Sequence, residues 1–297
     1  MLRRSVLLSI VVSLMTVVPA AAEDPPFVEW SSLLPGLATT FEPTSENLCT
    51  SGRPGCVDAV VREMQRRFNR EAAACDHDTI FALSYLRTTE EYRRTLAEPG
   101  FYEDARFVTH EDAVFARLYF DAFDAFHRGD LAATPPAWRI AFDAAADHAV
   151  PAAGDLFLGI NAHVQRDLPF ALAAIGLVKP DGSTRKTDHD AVNRFLNRVM
   201  DELIPEIARR FDPTIDDTNL PTTIDDLLTF QAIPAWRETA WRNAERLAAA
   251  PDAKSRAAVA ASIESYAASQ AQLLRTATMY PLRLGAAARD AFCAANG

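Results

Sequence analysis

His163 and Asp167 stand four residues apart in the run Leu158-Gly159-Ile160-Asn161-Ala162-His163-Val164-Gln165-Arg166-Asp167-Leu168-Pro169. Residues at that spacing are neighbours on a helix. A wheel at ~100° per residue puts both beside Leu156 and Ile160 on the apolar side, with Gln165 and Arg166 toward solvent. An imidazole and a carboxylate so placed can share a metal ion, or the carboxylate can orient the imidazole. Burying either alone costs several kcal/mol, so polar partners must meet them. The competing reading is a buried polar network that only fixes helix packing. Asn161 sits on the other edge of the apolar arc.

Three further helical segments carry polar residues on apolar faces. In 109–128, Asp112 lies among Phe115, Ala116, Tyr119, Phe123 and Phe126, and His110 points to solvent. The alternative for Asp112 is a first-turn capping pair with Thr109. In 188–210, His189 shares a side with Leu196, Met200, Leu203 and Ile207, with Asn193 nearby. Its alternative is a satisfied core histidine. In 77–97, Asp78 aligns with Phe81, Tyr85, Tyr92 and Leu96, unless it serves the first turn behind an Asp76 cap. His77, His127 and His148 fall at helix ends and read as surface groups. The expected metal ligands are therefore His163, Asp167, Asp112 and His189. Zinc is the preferred ion, because three or four N/O donors plus a water lower that water's pKa toward ~7 and make a nucleophile. Asn161, Asn193, Asp78 and Tyr119 are the expected binding residues. The partners of His163 and Asp167 should come from 109–128 and 188–210. The C-terminal helices should not supply them, because Glu245 and Glu264 read as solvated. There is no G-x-S-x-G elbow, Walker loop, H-E-x-x-H or C-x-x-C.

The elements that must position these groups are helical. Period 3.6 runs through 57–74, 77–97, 109–128, 136–148, 153–175, 188–210, 223–231, 235–249, 253–277 and 284–294. Prolines fall at most boundaries, while Pro169 and Pro205 lie inside helical patterns and should kink them. No stretch alternates with period two, and eleven glycines in 297 residues are few for a β-rich or α/β protein. The expected class is all-α, a single-domain bundle of nine to ten helices over 49–297, preceded by an irregular, proline-bearing arm over 23–48.

Residues 1–22 pair Arg3 and Arg4 with an apolar run and an Ala20-Ala21-Ala22 cleavage site, the pattern of a secretory signal peptide. Its apolar core is shorter than the ~20 residues a span needs, and no later segment is apolar enough to cross a bilayer. A secreted or periplasmic chain permits disulfides. With 57–74 helical, Cys56 and Cys75 lie about 28 Å apart, too far to pair. Cys49–Cys75 would stretch seven residues back along the helix. That leaves Cys49–Cys56 and Cys75–Cys293, with free buried thiols as the alternative. A net charge of −10 argues against nucleic-acid binding, which needs a basic face.

The run Leu158 to His163 followed by Asp167-Leu168-Pro169 resembles the central motif of a family of uncharacterised, often secreted bacterial proteins known as a domain of unknown function. Similar features extend to Cys56, Cys75-Asp76-His77 before Phe81 and Tyr85, Phe115-Ala116 with Tyr119, Pro136 with Trp138-Arg139, and Asp190 with Asn193. That resemblance implies no activity. More loosely, the H-x-x-x-D pair and its proline resemble one ligand segment of the zinc-dependent phospholipase C and S1/P1 nuclease superfamily. The next histidine after Asp167 is His189 and the H-x-x-x-E pair is missing, so that carry-over stops at His163 and Asp167. Two functions stay open: a metal-dependent hydrolase of a phosphate or ester substrate, and a non-enzymatic helical binding or structural protein.

Overall fold

Apolar residues at helical spacing, broken by prolines, build a protein that is all-α throughout its described residues. The computed structural model describes residues 36–216, 232–281 and 284–297. The expected leader, residues 23–35 of the arm and the expected helix 223–231 lie outside the described residues. Nine helical rods follow one another among the described residues: α1 (Gly55–Ala74), α2 (Thr79–Leu96), α3 (Ala105–His127), α4 (Pro136–Ala146), α5 (152–175), α6 (186–210), α7 (Ala232–Ala248), α8 (Ala253–Thr278) and α9 (Leu284–Asn296). A single isolated bridge, Val178 to Thr184, is the sole β-type pairing among the described residues. No helix among them is long and apolar enough to cross a membrane.

The central rod is α5. Every residue of its first piece, Ala152–Ile160, is buried, as expected of a helix that is apolar all round. Helices α2, α3, α4, α7 and α8 surround it. Gly159 permits the closest approach: a Cβ there would sit 2.3 Å from Cδ2 of Phe81 on α2. Pro169 was expected to kink the rod. Instead α5 widens to a π-helix over Asn161–Asp167 before resuming as Leu168–Ile175. The Leu168 N–H reaches back five residues to the His163 carbonyl. Such π segments recur at functional sites. Pro205 lies inside the helix Asn193–Arg210, which runs on through it. The break in α6 falls earlier, between Lys186–Ala191 and Asn193–Arg210.

Local differences from the sequence reading have physical causes. Helix α3 starts a turn before the expected Thr109, because Asp104 caps it by accepting from the Phe107 N–H at 3.1 Å. Thr109 is then interior, its hydroxyl donating back to the Ala105 carbonyl at 2.8 Å. His110 is fully buried rather than solvent-facing. Its ring nitrogens meet the Cys49 and Thr39 carbonyls at 3.0 and 2.8 Å, tying the N-terminal arm to α3. Gln165 is buried too, its Nε2 donating to Asn161 Oδ1 at 2.8 Å. Both disulfides have the expected partners, with Cα–Cα distances of 4.9 Å for Cys49–Cys56 and 5.9 Å for Cys75–Cys293. The second anchors α9 to the end of α1.

Candidate active site

The π segment projects two polar pairs. Asn161 and Gln165 form the first, and Asn161 Nδ2 donates to the Ala267 carbonyl at 2.9 Å, fastening α5 to α8. His163 and Asp167 form the second. The His163 ring lies flat on Phe115, with centroids 3.6 Å apart and planes 10° apart, and the Tyr85 ring is 4.3 Å away. His163 Nδ1 is 3.1 Å from Asp167 Oδ2. The same oxygen accepts from Trp138 Nε1 at 2.8 Å, and Asp167 Oδ1 accepts from Arg166 Nη1 at 2.9 Å. Arg166 is in turn held by Glu264, 2.8 Å from its Nε.

This wiring fixes the tautomer. A carboxylate only accepts, so Nδ1 carries the ring proton and Nε2 is left with its lone pair. His163 Nε2 is buried and has no hydrogen-bond partner. Burial pushes the His163 pKa down against the opposing pull of Asp167, so the ring is neutral. The result is an oriented, uncharged imidazole with one vacant acceptor.

His163 lines a cavity of about 120 Å³ between α2, α3, α5, α6 and α7. Its wall is largely apolar, with Phe81, Phe115, Ile160, Phe195 and Met200 among the lining groups. Other polar residues face the same space: Tyr85, Glu111, Asp112 and Arg237, with Thr88, Thr89 and Tyr92 beside them. Burial, reinforced by neighbouring Glu111, pushes Asp112 up to about 8, so its carboxyl is protonated at neutral pH. Asp112 Oδ2 and the Tyr85 hydroxyl have no partners. Burial also raises Glu111 to about 7, with Arg237 pulling it down and Asp188 pushing it up. One cavity thus holds a neutral base and a protonated acid, displaced in opposite directions by their surroundings.

The expected four-donor metal set is divided. Asp112 and His163 face one cavity. Asp167 lies behind His163, with both oxygens already accepting hydrogen bonds. His189 is committed elsewhere: Nε2 donates to the Arg237 carbonyl at 3.2 Å, and Arg237 Nη2 lies 3.4 Å from Nδ1 and 2.6 Å from the His189 carbonyl. Burial and that guanidinium push its pKa well below the ordinary value. Of the expected binding residues, Asn161 is taken by α8. Tyr119 packs behind the site, 5.2 Å from the Trp138 ring and 6.2 Å from His163. Asp78 pairs with His127 at 3.0 Å. Asn193, with a buried unpartnered Oδ1, sits between the lining residues Val192 and Phe195. The capping reading of Asp112 fails with the earlier start of α3.

Against the expectation that 109–128 and 188–210 would supply the partners and the C-terminal helices would not, α4 supplies Trp138, α7 Arg237 and α8 Glu264. Trp138 and Glu264 support Asp167 and Arg166. Arg237, missed from sequence, carried a signal all the same. It falls on one helical face with Ile233, Ala240, Trp241 and Ala244, all buried on α7.

His77 is also buried, at 2% exposure, rather than on the surface. Its Nε2 and His148 Nδ1 both lie 3.0 Å from Asp290, on α9, and the two rings stack at 4.1 Å. Among the described residues this is the one group of three histidine, cysteine or acidic side chains whose donor atoms lie within 4.8 Å of one another, so it could hold a metal ion.

Residues 57–277 match the family of unknown function DUF5995. No curated relative and no solved structure matches the chain. The matched span contains the whole His163–Asp167 unit and every described wall of the cavity. The chain belongs to the family of unknown function DUF5995.

Proposed function

We propose that the cavity is the catalytic site of an acid–base hydrolase acting on an ester-like carbonyl of a largely apolar substrate. The observation that carries this reading is the unpartnered Nε2 of a neutral His163 whose Nδ1 is committed to Asp167. Water in the cavity passes a proton to Nε2 as its oxygen bonds to the carbonyl carbon, and Asp167 stabilises the imidazolium that forms. The Tyr85 hydroxyl is placed to donate to the developing oxyanion. The protonated Asp112 gives its proton to the leaving oxygen as the C–O bond breaks, yielding an acid and an alcohol. Transfer of the proton from His163 to Asp112 through water restores both groups. An apolar wall suits an acyl group better than a highly charged phosphate ester.

p-Nitrophenyl esters of two to eight carbons test the reading, with wild type compared with His163→Gln and Asp112→Asn. Loss of a general base should lower kcat/KM by roughly 10²–10⁴-fold in a variant that still unfolds cooperatively. Equal rates in wild type and His163→Gln would overturn it in favour of a non-catalytic ligand site.

For a divalent metal, the better-matched donors are His77, His148 and Asp290, and zinc suits two imidazoles and a carboxylate. Asp155 Oδ2, 3.6 Å from His77 Nδ1, is placed to orient that ring. Arg289 Nη1, 2.9 Å from the same nitrogen, would have to give way. Zinc calorimetry on wild type and His148→Ala decides it: one site lost in the variant supports the reading, and no uptake by wild type ends it. The leader pattern over 1–22 and two disulfides together support export to an oxidising compartment.

A further inference from the structure

We infer that this cavity selects a monoanionic amphiphile, with Arg237 meeting a carboxylate head and the apolar wall taking its hydrocarbon body. The inference rests on the cavity being a ligand site, as proposed above, but not on the hydrolytic chemistry.

Arg237 is only 7% exposed and lines the cavity with His163. Its Nη2 is used by His189, but its Nε has no acceptor. No carboxylate among the described residues lies within 4.0 Å of its guanidinium, whereas the chain's other buried arginines, Arg67, Arg185 and Arg289, each hold one. A guanidinium stays charged even when buried. A buried cation without a counter-ion is costly, and here it borders open space instead of protein. A ligand anion would supply the missing charge and accept from the vacant Nε.

The rest of the lining sets the remainder of the ligand. Leu168, Val192, Phe195, Leu196, Met200 and Ile233 offer no hydrogen-bonding side chain and outnumber the hydroxyls of Thr88, Thr89 and Tyr92, which favours a hydrocarbon body. Arg237 is the one Arg or Lys among the described lining residues. A dianionic phosphate would leave its second charge unmatched, whereas a carboxylate brings one. Glu111 faces the same cavity and competes for Arg237 when ionised. Its removal as a charge should favour an anionic ligand.

The test is calorimetric binding of four probes sharing one chain: octanoate, 1-octanol, octylammonium and octyl phosphate. Wild type should bind octanoate at least ~10-fold more tightly than octanol, which corresponds to about 1.4 kcal/mol. Octylammonium and octyl phosphate should be weaker than octanoate. Arg237→Gln should erase the preference for octanoate over octanol, and Glu111→Gln should strengthen octanoate binding. Should Arg237→Gln fail to fold, the wild-type series and Glu111→Gln still decide. Equal binding of octanoate and octanol by wild type, stronger binding of octylammonium or octyl phosphate, or binding of none of the four would overturn the inference. Wild type is assayed for both octanoate selectivity and ester hydrolysis. Selectivity without hydrolysis, or the reverse, therefore separates this inference from the catalytic reading.

Discussion

Replacing His163 with alanine should cost far more stability than replacing His127, although both histidines pair with an aspartate. The His163 ring is almost fully buried and stacks 3.6 Å from Phe115, with Phe81 5.7 Å away and Tyr85 4.3 Å away. Truncating a packed aromatic group costs about 3–5 kcal/mol. Asp167 loses one of three donors but keeps Trp138 and Arg166, so it is not left unpaired and adds little. The His127 side chain is 28% exposed, bonds Asp78 at 3.0 Å, and lies 4.0 Å from the Phe123 ring. Its loss should cost about 1–2 kcal/mol. At ~2–4 °C per kcal/mol for a chain of this order of size, the expected drops in Tm are roughly 6–20 °C and 2–8 °C. Calorimetric melts of the two variants beside wild type measure this directly. Equal drops would refute the reasoning, because His163 could not then be the packed group and His127 the peripheral one.

Asp112 gives a pH signature. Its folded pKa, near 8, lies above the ordinary carboxyl value, so the folded protein holds a proton there that the unfolded chain has lost. Stability from this group is therefore full below about pH 4 and falls as pH rises toward 8. The isosteric Asp112→Asn should match wild type near pH 4 and become progressively more stable than it up to pH 8, as read by Tm at three pH values; a constant gap would contradict the burial. The disulfides should contribute unequally, because Cys75–Cys293 spans 218 residues and Cys49–Cys56 only seven. Chain-entropy estimates give about 5 and about 2 kcal/mol. Denaturant unfolding of the two double-serine variants should rank them in that order, and unreduced wild type should show no titratable thiol.

Much of this architecture was legible in the sequence because helix period and proline placement are local signals. The order of the rods, both cysteine pairings and the inward face of His163 and Asp167 follow from them. What was not legible depends on how rods meet. A strict wheel put Gln165 in solvent, but the π segment and the approach of α8 bury it against Asn161. His110 read as exposed because the wheel did not show the arm folding over α3. His189 and Asp112 both point inward, yet Arg237 claims the first and leaves the second facing the cavity. Arg237 itself is readable as a cation on the apolar face of α7, in register with Ile233, Ala240, Trp241 and Ala244.

The tautomer of His163 is the most direct test of the site, since the catalytic reading starts from a neutral ring with a vacant Nε2. Long-range nitrogen–proton NMR on imidazole-labelled protein at pH 7, with His163→Gln to assign the resonance, reads both ring nitrogens. The prediction is a neutral ring protonated at Nδ1, with an Nε2 resonance that moves when octanoate enters the cavity. A ring protonated at Nε2, or an imidazolium at that pH, would contradict it.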